Sequence, residues 1–275
     1  MNDIRIIALD LDGTLLNSSK ELTEENLRAL EEAAGKGIEI VTATGRFFDG
    51  MPDFIRDLPF LHYAIEINGA KVRDIRKNET IYTCEIPWQR AVEIMEFLDT
   101  FPVIYDCYQG GHGWMTRSLQ EKSAEFAPSK HYLKMLLELR TPVDDLKAFL
   151  TERKQGVQKI QLFVREPELH SRLSRQLPEL LPDIAVSSSV RNNIELNALH
   201  ATKGEGLKHL AEYLGVDISG TMAMGDGSND LSMVRMAGIG VAMENATDAV
   251  KAAADAVTSD NDSSGVAAAI RKFCF

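Results

Sequence analysis

The chain has 275 residues, 44% of them apolar and 26% charged, which is the make-up of an ordinary globular protein and excludes disordered, collagen-like and low-complexity scaffolds. At roughly 150 residues per domain, this length suggests one large or two modest domains. The formal net charge of -11, from 30 Lys plus Arg against 41 Asp plus Glu, argues against a nucleic-acid partner, because phosphate backbones are held by surplus cations, but it leaves small anionic substrates open.

In chain order, Ile4 and Ile6 to Leu9 form a short apolar run that ends at Asp10, as a strand buried on both faces does. Asp10 and Asp12 interrupt the run before the apolar core of a signal peptide forms, and no run approaches the ~18 apolar residues of a membrane span. Thr23 then caps a helical pattern through Asn26, Leu27, Leu30, Ala33 and Ala34, which Gly35 and Gly37 end before the β-branched run IEIVTAT at 38–44. That is a β-α-β unit.

The middle of the chain reads differently. Helical pieces at 89–98 and 132–139, a glycine turn at 110–113 and strand-like runs at 157–164 and 184–190 describe an α+β insertion. Alternation returns with a helix after Thr202, a strand at 221–224, a helix at 230–237, a strand at 239–243 and a helix from Thr247. The expected fold class is therefore α/β: a doubly wound, Rossmann-like parallel-sheet core of residues 1–82 and 189–275, interrupted by an α+β cap of residues 83–188. Cys84, Cys107 and Cys274 are odd in number and lack CxxC spacing, so they read as free thiols in a soluble, cytoplasmic protein with no membrane partner.

Chemistry gathers at the strand ends. Residues i and i+2 of an extended chain point the same way, so Asp10 and Asp12 are expected to face one small volume, and two such anions call for a cation or a proton. A hard divalent ion, Mg²⁺ above others, suits carboxylate ligands; an exposed acidic turn is the plain alternative. GDGSND at 225–230 follows another apolar strand, so Asp226 is placed to complete a metal site and Asn229 to meet a phosphate oxygen, although Asn and Asp also serve simply as helix caps. Thr44, Gly45 and Arg46 close the second strand with a hydroxyl, a permissive backbone and a cation, a set that binds anions or merely pairs at the surface. Lys203 sits in the first turn of a helix capped by Thr202, where a cation opposes the helix dipole by tenths of a kcal/mol to about 1, a cost that turns into a gain beside a phosphate.

Together these residues resemble the haloacid dehalogenase superfamily, specifically its Cof-type phosphatases with a class IIB cap. DLDGT at 10–14 is similar to the first motif, TATGR at 42–46 to the second, Lys203 in ATKGEGL to the third and GDGSND at 225–230 to the fourth. INGA at 67–70 and VAMENA at 241–246 resemble further class patterns, and the chain departs from them at Glu66 and Glu244. The resemblance implies a Mg²⁺-dependent phosphomonoester hydrolase acting on a small phosphorylated metabolite, of the sugar phosphate kind. Asp10 would be the nucleophile that forms an aspartyl phosphate, and Asp12 the acid and then the base. Asp10, Asp226 and the Asp12 position, by side chain or backbone carbonyl, would hold the metal. Thr44, Lys203 and Asn229, with the N–H groups of Leu11 and Gly45, would bind the transferring oxygens, and Arg46 would touch substrate. A phosphomutase, or a phosphometabolite-binding regulator with little turnover, are the competing readings. The six histidines, His62, His112, His131, His170, His200 and His209, show no metal-site spacing and read as structural.

Overall fold

A computed structural model describes residues 3–275, apart from the side chain of His131. Five strands open the chain: β1 (Ile6–Leu9), β2 (Glu39–Ala43), β3 (Leu61–Glu66), β4 (Lys71–Asp74) and β5 (Glu79–Thr83). Six follow: β6 (Val103–Gln109), β7 (His112–Thr116), β8 (Arg140–Val143), β9 (Lys159–Val164), β10 (Ile184–Ser187) and β11 (Asn193–Ala198). β12 (Thr221–Gly225), β13 (Ile239–Ala242) and β14 (Ala256–Val257) close it. The chain divides into two compact units, Met1–Thr83 with Thr202–Phe275, and Cys84–Ala201.

The first unit is built on an eight-stranded sheet in the order β14-β13-β12-β1-β2-β3-β4-β5. β14 to β3 run parallel, whereas β3, β4 and β5 pair antiparallel, an edge meander that the apolar patterning does not announce. Ile6, Ile7, Ala8 and Leu9 are fully enclosed, as expected of a central parallel strand, and each large aliphatic side chain so buried contributes about 1.5–3 kcal/mol. Thr23 caps the helix Glu24–Gly35 by accepting from the Asn26 N–H at 3.2 Å, and Thr202 caps Lys203–Leu214 by accepting from Glu205 at the same distance. Both caps fall where the sequence places them.

β1 lies between β2 and β12, the point at which the chain winds out in both directions. Leu9 is level with Thr42 on one side and Met224 on the other, so Asp10, Thr44 and Asp226 emerge together at the carboxyl ends of adjacent strands. Such a switch point leaves a crevice for ligands in open α/β sheets.

The second unit has a six-stranded sheet in the order β10-β11-β9-β6-β7-β8, antiparallel except for β7 with β8. Tyr105 and Cys107 of β6 and Ile160, Leu162 and Val164 of β9 pack among residues of the helices Trp88–Leu98, Leu146–Arg153 and Pro167–Leu180. The alternate positions carry buried polar groups: Asp106 pairs with Arg140 at 3.2 Å and Lys159 with Glu195 at 3.1 Å. Gly110 and Gly111, with φ of 66° and 75°, make the two-residue turn between β6 and β7, and Trp114 just beyond it packs on Phe149. The expected boundary at 188/189 falls inside this unit, because it would separate β10 from β11, which pair antiparallel; the unit continues to Ala201. The other boundary, expected at 82/83, falls at 83/84.

Candidate active site

Asp10 follows β1 directly, and its N–H donates to the Met224 carbonyl at 3.1 Å, which ties it to β12. Lys203, fully buried at the start of its helix, reaches Asp10 Oδ1 at 2.6 Å and Asp230 Oδ1 at 2.5 Å. The second oxygen of Asp230 accepts the N–H groups of Asp226 and Gly227 at 2.9 and 2.8 Å, so one carboxylate both shapes the turn after β12 and anchors the lysine. Asp226 accepts from the Thr14 hydroxyl at 2.8 Å. Gly13 sits at φ 88°, a conformation that strains any other residue, and a Cβ there would also lie 2.5 Å from Asp226 Oδ2.

One carboxylate oxygen from each of Asp10, Asp226 and Asp230 lies within 4.8 Å of the other two. Burial, then the charge of Asp230, drives the Asp10 carboxyl well above its ordinary range despite the opposing pull of Lys203. Burial and Asp230 likewise push Asp226 up to about 6. Lys203 is held charged, above its usual value: burial disfavours the cation, and the two carboxylates it touches outweigh that. Three crowded carboxylates share a single ammonium group, so the cluster is short of positive charge. A divalent ion with oxygen preference fits that donor set.

Asp12 is placed elsewhere. The chain leaves extended geometry after Leu9, so the i and i+2 argument does not carry the Asp12 carboxylate into the cluster. It is gripped instead by Arg46, through Nε at 2.9 Å and Nη2 at 2.7 Å, and by Lys20 at 2.9 Å. Burial raises its pKa, but these two cations outweigh burial and hold it below the usual carboxylate range. Leu11, between the two aspartates, is buried. Thr44 is buried after β2, its hydroxyl accepting from the Arg46 N–H at 3.2 Å, and Gly45 lies between them. Asn229 Nδ2 donates to Asn68 Oδ1 at 3.1 Å.

The geometry thus unites Asp10, Lys203 and Asp226, and it adds Asp230, whose part the capping pattern alone does not reveal. It also adds Lys20, Thr14 and Asn68. Asn245, inside the VAMENA run, donates to the Gly13 carbonyl at 2.8 Å and so steadies the DLDGT turn. Of the two departures, Glu66 is buried, accepts the Phe48 N–H at 3.0 Å and pairs with Arg73 at 2.9 Å, whereas Glu244 is exposed. Among the described residues, the clustered metal-type side chains are these three aspartates alone; no histidine joins them, and the side chain of His131 lies outside the described residues.

The family model for haloacid dehalogenase-like hydrolases matches residues 7–270. The chain belongs to that family. Phosphatase YwpJ of Bacillus subtilis is 33% identical to this hydrolase, over 96% of this chain and 98% of its own. The 5-amino-6-(5-phospho-D-ribitylamino)uracil phosphatase YcsE of the same organism is 30% identical, over 98% and 95%. Among solved structures, a haloacid dehalogenase-like hydrolase from B. subtilis superimposes with a TM-score of 0.84 at 31% identity, covering 98% of this chain and all of that one. This hydrolase is accordingly a phosphatase of the Cof type. None of its described helices is long and apolar enough to cross a membrane.

Proposed function

We propose that this hydrolase is a Mg²⁺-dependent phosphatase that cleaves the monoester of a small phosphorylated metabolite, of the sugar or polyol phosphate kind, through an aspartyl phosphate on Asp10. The observation that carries the reading is the Lys203 amine bridging Asp10 and Asp230 beside Asp226, with Asp12 held apart in its own cationic clamp.

Asp10, Asp226 and the Asp12 backbone position would hold the metal, with Asp230 fixing Lys203 and the Asp226 turn. The ion, when bound, supplies positive charge against which an anionic phosphoryl group can approach a carboxylate. Lys203 favours the ionised form of Asp10 against burial and fixes its carboxylate, and the charge of the ion would add to that pull, leaving a carboxylate oxygen of Asp10 to bond to phosphorus. The leaving oxygen departs with its electron pair and takes a proton from Asp12, which later removes one from the water that opens the acyl phosphate. The clamp holds Asp12 as a carboxylate while Arg46 and Lys20 grip it. Substrate phosphate competes for Arg46, and loosening that grip lets Asp12 take up the proton it must deliver. Thr44, Asn229 and the N–H groups of Leu11 and Gly45 would receive the transferring oxygens. The polyol phosphate in the name of YcsE belongs to the substrate class proposed here. Free thiols at all three cysteines suit a reducing, cytoplasmic setting.

The test is phosphate release from a panel of phosphorylated metabolites and from nitrophenyl phosphate. EDTA should abolish release and Mg²⁺ restore it. Asp10→Asn should form no acyl phosphate, and Asp12→Asn should slow turnover by roughly 10²- to 10⁴-fold while accumulating phosphate on Asp10 from nitrophenyl phosphate. If Asp10→Asn turns over as well as Asp12→Asn with metal bound, the covalent route is wrong. Transfer within a sugar bisphosphate without release would instead mark a phosphomutase.

A further inference from the structure

The link from β3 to β4 passes through three consecutive left-handed residues, Ile67 (φ 53°), Asn68 (φ 58°) and Gly69 (φ 92°). Asn and Gly tolerate that region, but a β-branched residue there is an outlier, and such a strained residue, which costs on the order of 1–3 kcal/mol, persists only where its surroundings enforce it. Here they do. The Ile67 N–H donates to the Arg46 carbonyl at 3.0 Å and the Asn68 N–H to the Thr44 carbonyl at 2.9 Å, while the Thr44 N–H donates to Ile65 at 2.9 Å. Ile67 itself is fully buried.

The consequence follows from the planar trans peptide. The Thr44 carbonyl and the Gly45 N–H belong to one rigid unit and point in opposite directions. Drawing that carbonyl onto Asn68 therefore aims the Gly45 N–H away from the turn. The Asn68 side chain acts on a second strand end: by accepting from Asn229 Nδ2 at 3.1 Å it ties the loop after β3 to the loop after β12, across β2 and β1. Gly69 completes the arrangement, because the chain approaches so closely that a Cβ at 69 would lie 2.0 Å from the carbonyl of Thr202, the cap of the Lys203 helix. One short turn thus touches three of the four segments that carry the proposed phosphate ligands.

We propose that Asn68 is a positioning residue for phosphoryl transfer, its left-handed turn orienting the Gly45 N–H and its carboxamide orienting Asn229. This rests on the phosphatase reading above. Asn68 would not itself touch the transferring group.

The two contributions separate by substitution, because glycine keeps the turn and loses the carboxamide, whereas alanine loses the carboxamide and strains the turn. In full-length protein with Mg²⁺, Asn68→Gly should lower kcat/KM for nitrophenyl phosphate and weaken orthovanadate inhibition by about tenfold, the scale of one hydrogen bond. Placed in an Asn229→Ala background, the same change should cost less than about twofold, because the carboxamide acts through Asn229. Asn68→Ala should lose more than Asn68→Gly in both backgrounds. A merely structural role would lower the melting temperature and cost the same factor whether or not Asn229 is present, and equal factors overturn the carboxamide half of the proposal. Identical losses for glycine and alanine overturn the turn half. Should the glycine variant not fold, Asn68→Ser, whose shorter arm falls short of Asn229, carries the same cycle. If wild-type protein neither hydrolyses nitrophenyl phosphate nor is bound by vanadate, the phosphatase reading fails and takes the proposal with it; turnover with equal factors in both backgrounds and identical losses for glycine and alanine refutes the proposal alone.

Discussion

Asp226→Asn should stabilise the metal-free protein at neutral pH and leave its stability unchanged in acid. The ordinary aspartate value is 3.8, and burial followed by the charge of Asp230 pushes Asp226 up to about 6. The folded state therefore binds the proton more tightly than the unfolded chain, so stability falls as pH rises from about 4 through about 6 and the loss is complete above that window. A shift of about 2 units at 1.36 kcal/mol each makes the ionised carboxylate cost about 3 kcal/mol. For a folding unit of this size that is about 6–12 °C in melting temperature. The asparagine oxygen can still accept the Thr14 hydroxyl, which isolates the effect of charge. Scanning calorimetry in EDTA should show variant and wild type melting together near pH 4, with the variant higher by that margin near pH 7.5. Mg²⁺ at a hundred times its Kd should then raise the wild type by about 2.7 kcal/mol and the variant by less. A difference between the two proteins that stays flat across the pH range in EDTA would refute the electrostatic account of the cluster.

Other consequences can be measured directly. Lys203→Met leaves Asp10 and Asp230 without their shared cation, and urea unfolding in EDTA should show a loss of about 3–5 kcal/mol, the usual cost of breaking a buried pair; stability equal to wild type would mean that the two bridges contribute nothing. Gly69→Ala drives a Cβ into the Thr202 carbonyl at a positive φ and should cost about 2–4 kcal/mol in the same assay, with a smaller change showing that the backbone has room to relax. In the inserted unit, Asp106→Ala strands the buried Arg140 guanidinium and should lower stability by about 3–5 kcal/mol, seen as an earlier loss of circular dichroism on heating.

What the sequence determines by itself is what depends on neighbours along the chain. The enclosed run at Ile6 to Leu9, the Thr23 and Thr202 caps and the β-α alternation are local signals, and the structure carries all of them. Because a parallel sheet puts its strand ends on one edge, the same signals place Asp10, Thr44 and Asp226 on that edge, and the pairing of β1 with β2 and β12 in the tertiary structure makes them neighbours. The tertiary structure decided how their charges divide. Asp10 and Asp12, equivalent by spacing, go to different cations because the chain turns after Leu9, and Asp230, legible only as a helix cap, becomes the anchor of Lys203. Asn68 acquires its partner in Asn229, 161 positions away. The antiparallel edge of β3 to β5 and the late end of the inserted unit escaped for a related reason: strand pairing is a choice between distant segments, settled by register and burial, and periodicity records only which face of a segment is apolar.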